Sequence, residues 1–549
     1  MRSLLLSGLV RLFRLVCIFF ACTALVACEG CRSSHILTPP APDGALPDAR
    51  LYLVSDMAGA LEPCGCVKDQ LGGMDHFGAL VEKEKKSAKG TATLSAGPLF
   101  FLDMELSDDR RAQEVAKAET IAKAMQDVGL AAFAPGRNDW AGGAGELGTL
   151  GQASDAKLLA ANLTAQGVAP VKWTKISRGR LTFGVIGVAA PDKAKVPLEG
   201  VTSSAPSDAV KEGVTALKAD GVQVIIALAA VGRGEAKRIA DANPELLAIV
   251  VGSTGGGGEA NTQAPPPERI GDVLIVETAN HLQTVGVLDL YLRDDAKGLV
   301  KFADSTGIER LRKRQEVSDR IDELRGRIAQ WENDKSVDPK DIAARKADLA
   351  KLEAERDSLT KSEAPTSGSF YQYIARDIRD DLGKDDAVSR AMLAYYKQVN
   401  DTNKRDLASR VPKPAAKGEP SYVGIEMCTS CHDEPRKVWD ATRHAHAYET
   451  LSKQFKEYNL DCVSCHVTGY DRPGGSTVTH VDNLKDVQCE VCHGPGSLHM
   501  AKPEKVKMPV PKPEADTCLA CHHPPHVHVF DAKAKMAEIL GPGHGKPKN

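Results

Sequence analysis

Four short cysteine and histidine motifs in the C-terminal part of the chain carry its clearest chemical signal. Each has two cysteines separated by two residues and followed at once by a histidine. The reactive side chains are Cys428, Cys431 and His432; Cys462, Cys465 and His466; Cys489, Cys492 and His493; and Cys518, Cys521 and His522. This spacing lets two thiols add to the vinyl groups of one porphyrin while the adjacent histidine binds the iron from the proximal side. The motifs predict four covalently attached haem c groups.

A six-coordinate iron needs a second ligand on the opposite face of each porphyrin. The 15 histidines of the chain exceed what the motifs use, so surplus side chains are available. The candidates are those that follow a motif within a segment able to fold back over a porphyrin: His444, His446, His499, His526 and His528. The last two are alternatives for one position.

The segment that holds the motifs has few large apolar residues and is interrupted by DRPGG and KPEKVKMPVPKPE. A region this short cannot build an ordinary core, so haems must supply much of it. We expect residues 419–531 to form a coil- and helix-rich tetrahaem cytochrome c domain that is disordered without haem. A flexible tail is expected at 532–549.

Three phrases within residues 421–530 resemble the small tetrahaem c-type cytochromes that include the electron carrier of ammonia oxidisers. They are WDATRHAHA, CVSCHVTGY and CEVCHGPGSLH. The resemblance implies closely packed haems that pass single electrons, with His444 and His499 as distal iron ligands. One haem in some relatives of this family lacks a sixth ligand, which would permit small-molecule chemistry.

The N-terminal half has the pattern of a different domain. Between residues 51 and 300, short apolar runs alternate with helical stretches, as in α/β domains. The runs predicted as strands are LYLVS, TATLSAG, LTFGVIGVAA, VQVIIALAAV, LLAIVVGS and VLIVETAN. The stretch from Arg111 to Val128 is predicted as a helix with one apolar face.

Several phrases of this half resemble, in order and spacing, the catalytic domain of 5'-nucleotidases, a branch of the calcineurin-like metallophosphoesterases. They are SDMAG, LSAGPLFF, PGRNDW, LAANL, FGVIGV, ALAAVG and VVGSTGG. The resemblance implies an α/β sandwich whose relatives hold two metal ions and activate water between them. It places Asp56 and Asn138 at ligand positions.

Most other ligands that this resemblance implies are replaced. The substitutes are Ala58 for the first histidine, Pro98 for the bridging aspartate, Asp139 for the catalytic histidine, and Ala230, Ser253 and Gly255 for later histidines. Two retained ligands cannot fix a two-metal site. We therefore expect a retained fold without phosphoesterase activity. Cys64 and Cys66 have open roles as metal ligands, a redox pair or bystanders.

Residues 305–363 predict an α-helical hairpin. Two runs of apolar residues at helical spacing are Val317, Ile321, Leu324, Ile328 and Trp331, and then Ile342, Leu349, Leu352 and Leu359. Asp338 and Pro339 can start the second helix as its cap and first residue. The hairpin is expected to be a spacer, and a coiled coil that forms a homodimer is the alternative. An α-rich connecting segment and linker are expected over 364–418.

The first 27 residues predict export, because Arg2, Arg11 and Arg14 precede an apolar stretch too short for a comfortable membrane span. LVAC resembles a bacterial lipobox, which would make Cys28 a lipidated first residue. A plain secretory signal or an uncleaved anchor is the alternative. Residues 28–50 are Pro-rich and suit a tether. We expect a lipoprotein of the periplasm or outer membrane.

Charge points to no particular partner. Lys+Arg 70 nearly balances Asp+Glu 73, and no polybasic run indicates nucleic acid binding. The leading interpretation is an electron-transfer protein rather than an enzyme, with redox protein partners in a respiratory chain and the α/β domain as a docking or assembly module. The alternatives are a haem enzyme that reduces a small nitrogen or oxygen compound at one open iron, and a metal-dependent phosphoesterase.

Overall fold

The computed structural model describes residues 44–549 except 64–69, 191–197, 254–259, 294–296, 335–336, 360–364, 524–526, 528–529, 542–543 and 545–549. The predicted signal peptide, Cys28, most of the tether, Cys64, Cys66, Gly255, His526 and His528 lie outside the described residues. Within them, no helix is long and apolar enough to cross a membrane.

The strands that the structure describes lie between residues 49 and 377. They are β1 Ala49–Ser55, β2 Thr91–Gly97, β3 Leu130–Pro135, β4 Lys157–Leu158, β5 Leu163–Ala165, β6 Trp173–Arg178, β7 Leu181–Ala189, β8 Val201–Ser203, β9 Val224–Ala230, β10 Ala248–Gly252, β11 Glu268–Ile270, β12 Val273–Val276, β13 Thr284–Tyr291, β14 Ala303–Asp304 and β15 Phe370–Asp377.

The α-helices are distributed over the whole chain. They are α1 Met74–Glu84, α2 Asp108–Asp127, α3 Ala144–Ala153, α4 Pro206–Ala219, α5 Arg233–Ala242, α6 Ile308–Glu332, α7 Pro339–Ser358, α8 Asp386–Asp406, α9 Ile425–Thr429, α10 Asp433–Asp440, α11 Ala447–Ser452, α12 Cys489–His493, α13 Ser497–Ala501 and α14 Ala532–Ile539.

Two large sheets face each other. The first has the order β14-β15-β13-β1-β2-β3-β4 and the second β11-β12-β10-β9-β7-β6. Strands β1, β2 and β3 run parallel, as do β7, β9, β10 and β12. Their apolar runs are buried on both faces, as central parallel strands require. Leu51 and Leu94 of the first sheet share one core with Val185, Ile226 and Val250 of the second.

Helices cover the outer faces of both sheets. On the first, Phe77 of α1, Ile121 of α2 and Tyr395 of α8 join one core. On the second, Val210 of α4 and Ile239 of α5 do the same. The α/β sandwich expected from the sequence is confirmed, together with the helical segment and the coil- and helix-rich region that follow it.

The connecting segment predicted as α-rich, 364–418, begins differently. Residues 370–377 form β15, which pairs antiparallel with β13 along eight residues and places Phe370 opposite Tyr291. Phe370 and Tyr371 are fully buried there. The α/β domain therefore continues beyond residue 300, and α8 packs on its outer face. It also starts before residue 51, because β1 begins at Ala49.

Helices α6 and α7 lie between β14 and β15 in the chain and pack against each other. The Asp338 side chain accepts the N–H of Lys340, and Pro339 is the first helical residue, as the sequence indicates. Val317, Ile321 and Ile328 of α6 are buried. Ion pairs join the two helices, including Arg325 with Glu353 at 2.6 Å.

The motif region has short helices and a small apolar core of its own. That core consists of Tyr448, Leu460, Val463, Val467, Val478 and Val481. The segment predicted as a flexible tail contains α14, whose N-terminus is capped by the Asp531 side chain. Both the α/β domain and the motif region belong to one unit, residues 39–549.

Candidate haem attachment site

Each motif forms a single helical turn. In the first, the N–H of His432 donates to Cys428 O at 3.0 Å, and in the fourth the N–H of His522 donates to Cys518 O at 2.9 Å. The third motif is helix α12 itself. One turn places the second cysteine and the histidine, three and four residues after the first cysteine, on the same side. The local fold therefore presents the three groups together.

The motif thiols are free and lie close to one another. None of the eight is fully buried. The Cys428 thiol is hydrogen-bonded with Cys489, which with burial raises the pKa of Cys428, and Cys521 is bonded in the same way with Cys465. Burial, and then the adjacent Cys518, raises the pKa of Cys492 to about 11. The first motif thus adjoins the third, and the second adjoins the fourth.

Two candidate distal histidines face motif histidines. The ring centres of His432 and His499 are 6.4 Å apart, with their planes 29° from parallel. Those of His444 and His522 are 6.1 Å apart. Metal–nitrogen bonds of about 2 Å on both sides of one ion put two imidazole centres about 6 Å apart. The separations of the ring centres therefore match bis-histidine ligation of an iron at both places.

Backbone carbonyls orient several of these rings. The Nδ1 atom lies 2.7 Å from Ala447 O in His466, 2.9 Å from Val510 O in His493 and 2.5 Å from Val506 O in His499. A carbonyl oxygen only accepts, so Nδ1 carries the proton and Nε2 keeps its lone pair. Hydrogen bonds of this kind orient metal-binding histidines.

Burial also favours the neutral, ligating form of the second pair. Burial, and then the nearby His522, lowers the pKa of His444. Burial, and then His523, lowers the pKa of His522. Phe530 stacks on the His522 ring with centres 4.4 Å apart and covers one side of it.

His446 and His544 are placed differently from what the sequence predicts. The His446 side chain is 63% exposed and lies 3.9 Å from the Glu449 carboxylate. The structure therefore does not bring it to a motif in the way that it brings His444. His544, which the sequence left in a flexible tail, lies near His493 and His432, and burial and these neighbours lower its pKa. No local pattern marks His544, since only the folded chain brings it there.

The Asp56 carboxylate is committed to a backbone partner. Its Oδ1 accepts the N–H of Ser253 at 2.7 Å. It also lies against Gly97, where a Cβ atom would come within 2.0 Å of it. Burial raises the pKa of Asp56 to about 7. His281 donates its backbone N–H to Asp56 O, and its own ring bonds to Asn261 Oδ1 at 2.9 Å.

The neighbouring Asn138 and Asp139 hold the loop after β2. The Asn138 amide donates to Leu102 O. The Asp139 carboxylate accepts the N–H groups of Leu99, Phe100 and Gly136 at 2.8, 2.7 and 3.0 Å. Asp139 is fully buried, which raises its pKa to about 7. The Asp139 carboxylate therefore fixes the conformation of the loop after β2.

These side chains do not fit a two-metal centre. Among the residues that the structure describes, no group of three His, Cys, Asp or Glu side chains is placed to hold a metal ion. Ala58, Pro98 and Ala230 offer no ligating side-chain atoms. Asp56 Oδ1 and both carboxylate oxygens of Asp139 accept backbone N–H bonds instead.

The motif region matches a known family. Residues 427–494 match the family described as cytochrome c554 and c-prime. Cytochrome c-554 from Nitrosomonas europaea is 35% identical to this chain over a 91-residue alignment, with 14% of this chain and 39% of that protein covered. The chain thus covers less than half of this relative. The family implies covalently bound c-type haem, and the resemblance of the motif region to such cytochromes is confirmed.

Solved structures with some likeness to the chain include two of the class that the N-terminal phrases resemble. The 5'-nucleotidase precursor from Thermus thermophilus is 19% identical, with 69% of this chain and 62% of that chain covered and a TM-score of 0.43. The calcineurin-like phosphoesterase YfkN from Bacillus subtilis is 17% identical, with 45% and 85% covered and a TM-score of 0.36.

Proposed function

We propose, from the likeness of the motif region to cytochrome c-554, that this protein carries single electrons through four covalently attached haem c groups. The two histidine pairs, with ring centres 6.4 and 6.1 Å apart, are the observation that supports this most strongly. A bound haem supplies an iron that takes up and releases one electron. Its redox partners are proteins of a respiratory chain.

The residues divide the work of holding these groups. The eight motif cysteines attach the porphyrins, and His432, His466, His493 and His522 are the proximal ligands. His499 would be the distal ligand of the iron that His432 holds, and His444 that of the iron that His522 holds. The hydrogen bonds from Nδ1 of His466, His493 and His499 to backbone carbonyls would leave Nε2 of each ring available to an iron. His526 or His528 remains a candidate for a further position.

The contacts between motifs favour fast transfer inside the protein. The Cys428 and Cys489 thiols touch, as do those of Cys465 and Cys521. Haems bound at these neighbouring motifs would lie close together, so an electron would cross a short distance between them. Cys518 lies near Cys492 and would join the two pairs of motifs in one set.

The α/β domain serves as a scaffold in this proposal. Asp56 and Asn138 are vestigial metal ligands, and the bonds of Asp139 to the backbone replace a catalytic role with a structural one. At its N-terminus the exported protein is anchored through a lipid on Cys28 in the periplasm or outer membrane. The apolar stripe of the hairpin is used within the chain, so a homodimer would need another face of it.

Haem content and spin state test the proposal. The mass of the purified, oxidised protein is expected to equal that of the lipidated chain from Cys28 plus four haems. Low-temperature paramagnetic resonance is expected to give low-spin signals for every iron. A high-spin signal would instead favour the second candidate, a haem enzyme that reduces a small nitrogen or oxygen compound at an open iron. A chain without covalent haem would contradict both.

A further inference from the structure

The segment that leads into the second motif, residues 455–461, is held by the α/β domain. Lys397 of α8 lies over the Phe455 ring at 4.7 Å. From the same helix, Asn400 accepts the N–H of Tyr458 at 3.2 Å, and Asn403 donates to Tyr458 O at 2.8 Å. The backbone before Cys462 is therefore fixed by a helix that belongs to the other domain.

A buried glutamine of α2 extends this contact. Gln113 is 2% exposed. Its Oε1 accepts the N–H of Leu460 and the Asn403 amide, both at 2.9 Å, and its Nε2 donates to Asn459 Oδ1 at 3.4 Å. A buried polar side chain bonded on several sides loses much if any partner moves. The segment is held in one place by these bonds.

A charge cluster completes the contact beside the attachment cysteine. Asp461 precedes Cys462 and pairs with Arg110, and also with Lys117, whose Nζ is 3.2 Å away. Glu114 lies between these cations, 3.3 Å from the Arg110 guanidinium and 2.8 Å from Lys117 Nζ. Two cations balance two carboxylates. The Lys117 side chain is only 14% exposed, so solvent screens its charge less than that of a surface lysine.

We propose that α2 and α8 form a fixed seat for the haem attached at Cys462 and Cys465, and that the charges of Lys117 and Asp461 set its midpoint potential. This inference rests on the proposed haems and goes beyond them, because it gives the α/β domain a part in the redox chemistry. An electron from the redox partner adds one negative charge to the haem. A nearby cation therefore favours the reduced state, and a nearby carboxylate favours the oxidised state.

Opposed charge changes at this seat test the inference. The full-length, haem-loaded protein is compared as Lys117→Met, Asp461→Asn and the double variant, with the reduction of each haem followed by spectroelectrochemical titration. We expect K117M to shift the reduction equilibrium of one haem about tenfold toward the oxidised form, and D461N to shift it about tenfold toward the reduced form. The double variant restores the charge balance and returns close to the parent.

The controls separate charge from packing. Lys172→Met breaks the 2.7 Å pair between Lys172, the residue before β6, and Glu212 of α4 on the second sheet. It is expected to leave every reduction step unchanged. His466→Met identifies the step of the second haem. Packing loss would move both single variants in the same direction. The inference is wrong if both single variants shift in the same direction. It is also wrong if the haem reduction steps of the folded variants are unchanged, or if all haems shift equally.

A failure of the proposed function gives a different result. This failure is seen in the parent protein before any variant is made. Mass spectrometry then finds no haem attached to the peptide that contains Cys462 and Cys465. If the haem potentials can be measured but do not change in the Lys117 and Asp461 variants, only the inference about this contact is wrong and the proposed function stands.

Discussion

The Asp139 carboxylate shows how one side chain can hold a loop where the resemblance to 5'-nucleotidases implies a catalytic histidine. Three buried N–H groups depend on it. We expect Asp139→His to gain no hydrolysis of a phosphate ester with added Mn²⁺. We expect it to lower the free energy of unfolding by about 3 kcal/mol, because buried donors lose their acceptor. Urea unfolding measures this, and Asp108→His on the exposed start of α2 is the control.

Asp56 predicts an unusual dependence of stability on pH. Burial raises its pKa to about 7, above its value in an unfolded chain, so its contribution is fully present in acid and is lost as the pH rises through about 7. We expect Asp56→Asn to be more stable than the parent at pH 8, by about 2 kcal/mol, and the difference to shrink at pH 5. Thermal unfolding at both values measures it.

The same protein pair tests for a metal ion. Mn²⁺ is expected to leave the melting temperature of the parent unchanged, because Asp56 lacks partner ligands among the described residues. A rise in the parent that Asp56→Asn abolishes would show that Asp56 holds the ion and would revive the phosphoesterase alternative.

The histidines of residues 444–446 form a matched pair of variants. His444→Ala and His499→Ala each remove a ring that faces a motif histidine, so each is expected to convert one low-spin iron to high spin. His446→Ala removes an exposed ring and is expected to leave the resonance spectrum unchanged. A high-spin iron in the His446 variant alone would reverse the distal assignment.

At the scale of elements, most strands that the sequence predicts are runs of mostly apolar residues, whereas β3 and β13 were not predicted although they are largely buried. LYLVS and VIIALAA can be recognised from their own residues, because a strand that is buried on both faces is a nearly continuous apolar run. Strand β15 was missed because half of FYQYIARD is only partly buried. Its partner β13 comes before a helical hairpin, and pairing at that distance leaves no local trace.

The residues of the haem attachment site also differ in whether the sequence alone can predict them. The thiols and proximal histidines could be predicted because covalent attachment requires them within five consecutive residues. The pairing of His432 with His499 depends on how the chain folds between them. Spacing alone could not tell His444 from His446, since the two differ in which side of a short helical turn they occupy.

The hairpin has its own prediction. Ile321 is 1% exposed on α6, the helix that packs against α7. We expect Ile321→Ala to speed amide hydrogen exchange in both helices, through a loss of about 3 kcal/mol of packing, while haem content and elution volume stay the same. Glu323→Ala on the exposed side is the control. A change of oligomeric state would support the homodimer alternative.

At the scale of the whole molecule, the two domains differ in how they obtain a core. The sheets and helices of the α/β domain share large apolar clusters, whereas the motif region has six buried residues in its cluster. We expect a chain made without haem to keep a folded α/β domain and to lose order over residues 419–531. Limited proteolysis with circular dichroism checks this. Cooperative folding of the haem-free motif region would contradict it.

The insertion of α6 and α7 between β13 and β15 bears on how the protein is made. A chain that emerges from its N-terminus completes β13 well before β15, so β13 waits with an unpaired edge until the hairpin has been synthesised. An open edge of apolar residues is a template for pairing with other chains. The chain is therefore most prone to aggregate in this interval. A chain truncated within the hairpin never makes β15, so the edge of β13 stays unpaired.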